Sequence, residues 1–105
     1  MEREDILTYL KEVKQRYEKE GFIIKGLFGS HARDSADLYS DIDLVYELDY
    51  EKFDKVYHGG FSKLLKIEDI KDELQNTLKR RVDLIPLNKK DTSFYKIIKD
   101  ELIYV

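Results

Sequence analysis

Apolar and polar positions along this chain follow two periods, and the switches between them mark its elements. Ile6, Leu7, Leu10, Val13 and Tyr17 recur at helical spacing. Glu2, Glu4 and Asp5 fall in the first turn of that run, where carboxylates favour the positive end of a helix. Gly21 supplies a stop, because glycine tolerates the left-handed conformation that follows a helix. The spacing predicts a helix over 3–20. Phe22 to Phe28 is short and mostly apolar, as a buried strand should be, and it ends at Gly29-Ser30. A polar stretch from His31 to Ser40 follows, read as a short helical turn around Ser30–Ser35 and then a loop.

Strict alternation resumes at Asp41-Ile42-Asp43-Leu44-Val45-Tyr46-Glu47-Leu48, which reads as a strand. Its even positions face a core, and Asp41 and Asp43 share the opposite face. Residues 50–57 suit a short helix closed by His58-Gly59-Gly60. Phe61, Leu64, Leu65, Ile67, Ile70, Leu74 and Leu78 then mark a second long amphipathic helix, with this apolar side expected inward. Arg81 to Leu87 is another short strand, and Pro86 places it at a strand end or a sheet edge because it lacks an N–H donor. Asp91-Thr92-Ser93 can cap a last helix carrying Phe94, Ile97, Ile98 and Leu102 along one side. The tail 102–105 either prolongs that helix or adds a strand. The order is α-β-turn-β-α-β-α, an α/β (α+β) fold with a small sheet covered by helices, expected as one domain over 1–105.

Composition narrows the function. Apolar residues at 42% suffice for a packed interior, and charged residues at 39% describe a densely solvated surface. With no cysteine, disulfides and thiolate metal sites are excluded, which suits a reducing, cytoplasmic setting. No apolar run approaches the ~20 residues that cross a bilayer, and the first residues do not resemble a signal peptide, so no membrane role is expected. The net charge of −3 gives no overall attraction to nucleic acid. Lys79-Arg80-Arg81 and Lys89-Lys90 are local clusters that read as solvated residues flanking a strand.

Three strand carboxylates carry the chemistry. Asp41 and Asp43, on one face of one strand, repel each other unless a cation lies between them. Hard oxygen ligands favour Mg²⁺, which keeps some waters and takes phosphate oxygens as further ligands. Asp83 lies in the other apolar strand segment and reaches the same pocket if the two strands are neighbours. Two ions ~3.5–4 Å apart could then serve an attacking oxygen and a leaving pyrophosphate. Gly29-Ser30, at a strand end, offers backbone N–H groups and a hydroxyl to phosphate. Each feature alone has an ordinary reading: a solvated acid pair, Asp83 paired with Arg80 or Arg81, a serine-capped turn. Their conjunction is what points to a nucleotide.

Gly29-Ser30, ten residues, then Asp41-Ile42-Asp43 resembles the Gly-Ser-x₁₀-Asp-x-Asp signature of the polymerase-beta-like nucleotidyltransferase superfamily. Phe28-Gly29-Ser30-His31-Ala32-Arg33, Ser40-Asp41-Ile42-Asp43-Leu44 and Arg81-Val82-Asp83-Leu84-Ile85 are similar to its minimal nucleotidyltransferase (MNT) branch. The resemblance implies the nucleotidyltransferase fold. It also implies that Gly29 and Ser30 hold the triphosphate of ATP, that Asp41 and Asp43 ligate two Mg²⁺ ions, and that Asp83 ligates one of them and helps deprotonate the acceptor hydroxyl. Arg33 stands where the branch has an arginine near the phosphates, although a surface pair with Asp34 or Asp37 accounts for it equally well. His31 departs from the branch pattern, and neither it nor His58 is given a role.

Proteins of this branch and size resemble antitoxins paired with an HEPN-type RNase toxin, which implies AMP transfer to a toxin tyrosine. The chain ends soon after the catalytic unit, so the acceptor site is expected on a partner protein or a second copy. Two rival readings stand beside this one. In the first, a binding module neutralises its partner by contact alone. In the second, a homodimeric enzyme modifies a small molecule of the aminoglycoside kind.

Overall fold

The computed structural model describes residues 3–29, 32, 40–87 and 92–105. Among them run α1 (Arg3–Glu18), β1 (Phe22–Phe28), β2 (Ile42–Leu48), α2 (Tyr50–Val56), α3 (Gly59–Leu78), β3 (Val82–Pro86), α4 (Thr92–Glu101) and β4 (Ile103–Tyr104). The strands form one mixed sheet in the order β3-β2-β1-β4. β1 lies antiparallel to β2 and to β4, whereas β3 lies parallel to β2. A parallel pair needs a crossover, and α2 with α3 supplies it.

The alternation in β2 sorts its side chains onto two cores. Ile42, Leu44 and Tyr46 are buried with Ile6, Leu10, Val13 and Tyr17 of α1 and with Ile70, Leu74 and Leu78 of α3. Val45, on the reverse face, is buried with Ile98 and Leu102 of the α4 segment. Phe22 anchors the larger core, stacked on Tyr46 at 4.7 Å between ring centroids and edge-on to Tyr17 at 6.0 Å. The β1–β2 register slips between Ile24 and Gly26, a bulge that keeps both Ile24 and Leu27 in this core and turns Phe28 to the face of Val45. A Cβ at Gly26 would collide with the backbone carbonyl of Ile103, so a side chain there would prise β4 from the sheet.

Four expectations are resolved differently or more finely. The second strand begins at Ile42, one residue after Asp41. Gly59 and Gly60 do not close α2; they open α3, behind His58 as its N-cap. The tail adds a strand, β4. Most telling, Phe61, Leu64 and Leu65 are not in the core: they are 75%, 62% and 50% exposed. Their helical period is genuine, but the first turns of α3 overhang the body, and a Cβ at Gly59 or Gly60 would meet nothing within 4 Å. The predicted turn around Ser30–Ser35 lies, apart from Ala32, outside the described residues. Pro86 does stand on an edge strand, as its missing donor requires.

The interior also sets an alkaline limit. Tyr17 is 3% exposed, and its phenol is pushed up from 10.0 to about 12, first by burial, with Glu73 adding to the rise and Arg16 opposing it. Burial also raises Tyr46 and Tyr57. The folded state therefore holds these protons more tightly than the unfolded chain. That contribution to stability is complete below pH 10 and is lost as pH rises through about 12. Thermal melts recorded from pH 9 to pH 12 should show Tm falling across that window, and falling less steeply in Tyr17→Phe. A parallel decline in both proteins would assign the loss to other groups.

Candidate active site

The acids meet where β2 and β3 start side by side. The parallel register places Asp43 opposite Asp83, on the face that α4 partly covers farther along. The N–H of Ile42 donates to the carbonyl of Arg81 at 2.8 Å, which fixes this end of the ladder. Gln75 of α3 secures it from behind, its Oε1 accepting the Val82 N–H at 3.0 Å. The neighbouring Lys79 adopts φ 55, a left-handed helix end that turns the chain from α3 into β3. Asp83 thus owes its place to the C-terminus of α3 as much as to its own strand.

Gly29 completes the arrangement from the other side. Phe28 pairs with Asp43 across the antiparallel ladder, so the residue after it passes close to the Asp43 carboxylate. Gly29 adopts φ +76, and a Cβ there would run into Oδ2 of Asp43. Only glycine combines this backbone conformation with that approach. Three residues on, Ala32 packs in the larger core, and its carbonyl accepts from Nη1 of Arg3 at 3.2 Å.

The structure therefore brings Asp43, Asp83 and Gly29 together. Asp41 sits just ahead of β2, two residues from Asp43 and, like Asp43 and Asp83, only partly exposed. Ser30 and Arg33 lie outside the described residues, as does His31. Among the described residues, no three or more His, Cys, Asp or Glu side chains are gathered closely enough to hold a metal ion. The donor chemistry fits a hard divalent ion: carboxylate oxygens alone, two of them contributed by residues in register on adjacent strands. A turn that ends one strand and an acid pair that begins the next share one edge of the sheet if the strands are neighbours, and β1–β2 pairing makes them so; how closely the Gly29 backbone approaches Asp43 is visible only in the structure.

Comparison with known proteins bears on the family and the fold. Residues 6–105 match the family described as Nucleotidyltransferase domain. MntA of Thermococcus cleftensis, a protein adenylyltransferase, is 31% identical over 105 residues, covering 99% of this chain and 93% of that protein. A Methanocaldococcus jannaschii protein bearing the name protein adenylyltransferase is 31% identical over 104 residues, 98% of this chain and 93% of its own length. A solved structure assigned as a minimal nucleotidyltransferase aligns with a TM-score of 0.76 at 23% identity, over 100% of this chain and 97% of that one. At that identity the likeness speaks for the fold.

Proposed function

Since this chain belongs to the nucleotidyltransferase domain family, we propose that it transfers AMP from ATP to a hydroxyl of a partner protein. The acceptor in this reading is a tyrosine of an HEPN-type RNase, which the modification silences, making the chain the antitoxin of such a pair. The observation that carries the chemistry is the Asp43–Asp83 register with the Gly29 backbone against the Asp43 carboxylate. The protein acceptor is supported by relatives that are named protein adenylyltransferases.

The acceptor oxygen forms a bond to the α-phosphorus, and the bond from that phosphorus to the bridging oxygen breaks, so that pyrophosphate leaves. Asp83 takes the hydroxyl proton. Asp41 and Asp43 would hold Mg²⁺, in this reading two ions, with Asp83 also ligating one, and the metal would offset charge on the triphosphate and on the attacking oxygen. By the family motif, Gly29 and Ser30 are assigned to the triphosphate and Arg33 to its phosphates. None of these groups forms a covalent link to substrate, so the rate enhancement comes from positioning and electrostatics.

The test uses ATP labelled at the α-phosphate, Mg²⁺ and the product of the adjacent reading frame, an HEPN-type RNase in this reading. Label is expected on that protein and is lost when its acceptor tyrosine is changed to Phe. Transfer to an aminoglycoside instead would establish a small-molecule acceptor. RNase silencing with no label transferred would establish neutralisation by contact.

A further inference from the structure

Among the described residues, the overhanging start of α3 carries three large apolar side chains that the fold does not use. Phe61, Leu64 and Leu65 project from its first two turns. Helical geometry continues the same stripe through Glu68 and Asp72, with Asp69 at its margin, and all three acids are exposed. Two lysines beside the stripe are engaged elsewhere, Lys63 with Asp54 of α2 and Lys66 with Glu20 and the Tyr57 ring at 5.5 Å, while Lys71 lies off its axis. Arg16 of α1 is engaged with Glu73. The stripe is therefore apolar for two turns and then acidic for two. Glu68 and Asp72 stand at i,i+4 and Asp69 and Asp72 at i,i+3, spacings at which like charges destabilise a helix.

We propose that this stripe docks the acceptor protein through an apolar groove on that protein flanked by Lys and Arg side chains. Three observations select this occupant. The acidic half calls for a basic counterpart, which a second copy of the same stripe would not offer in parallel register. Three side chains, half to three-quarters exposed, present on the order of a few hundred Å², short of the ~800 Å² per partner of a standard interface. That area suits an encounter that must dissolve after each turnover and is too small for a stable homodimer. Position excludes a small molecule: α3 runs from the stripe to Leu78, beside the start of β3, so roughly 20–25 Å of helix separates stripe from acids. A substrate that touches both is a macromolecule.

The inference rests on the reading of a protein acceptor, and its test separates the two. Binding of the product of the adjacent reading frame is measured by calorimetry, and labelled-AMP transfer is measured in parallel. Phe61→Ser/Leu65→Ser should weaken binding about tenfold or more, as loss of an interface anchor does, and should raise KM for the protein with kcat unchanged. Glu68→Lys/Asp72→Lys should also weaken binding, and should remove much of its salt dependence. Melting temperatures should stay near the parent value, since these side chains are outside the core. Binding unaffected by both variants, or no binding of that protein at all, overturns the docking surface. So does a homodimer in light scattering that Phe61→Ser/Leu65→Ser dissolves. Binding that depends on the stripe without any label transfer upholds the surface and overturns the AMP-transfer reading.

Discussion

Asp43→Asn is expected to reduce AMP transfer by about 10²–10³-fold or more, the loss that follows when charge stabilisation at the reacting phosphate is removed, and to leave Tm near the parent value. The substitution keeps the shape of the side chain and deletes its charge. Asp43 lies opposite Asp83 in the parallel ladder and belongs to neither hydrophobic core, so the change leaves the packing intact. Single-turnover transfer and a thermal melt on the same preparation check both halves. Full activity in Asp43→Asn would remove the acid from the mechanism, and a large fall in Tm would make it a structural residue.

Gly29→Ala tests the other wall of the site, and here both properties fall. The backbone at φ +76 is disfavoured for alanine by about 1–2 kcal/mol, and the new methyl meets Oδ2 of Asp43. Either the β1 end shifts or the carboxylate rotates away, and displacement by about 1 Å at a reacting centre can slow a reaction 10²-fold. Gly59→Ala is the control, because Gly59 has φ +81 with open space around its Cβ. It carries the same backbone strain without the collision. Transfer to a short tyrosine peptide should therefore persist in Gly59→Ala and collapse in Gly29→Ala. Equal losses in the two would show that strain alone is responsible.

The elements were legible because their information is local. Ile6, Leu10, Val13 and Tyr17 encode α1 by spacing, and the alternation after Asp41 encodes β2 with its faces assigned correctly. What sequence could not give was how far each helix extends beyond the body it covers. Ile70, Leu74 and Leu78 have the same period as Phe61 and Leu65, yet only the former lie over the sheet. Periodicity reports which side of a helix is apolar and is silent on whether anything lies beneath it. The same limit governed the site. The acid pair was visible as a motif, but the placement of Asp83 opposite Asp43 depends on parallel pairing, which no local pattern specifies. The Gly29 approach to Asp43 depends in turn on the β1–β2 register. For Ser30 and Arg33 the motif is still the basis for their roles.

Parallel pairing between β2 and β3 also bears on when the enzyme becomes competent during folding. The hairpin-like ladder of β1 and β2 can close early, bringing Gly29 beside Asp43, but Asp83 arrives only after α2 and α3 have been laid across the sheet. Half-folded molecules accordingly hold Asp41 and Asp43 without Asp83. Competence for the proposed transfer is thereby tied to completion of the crossover.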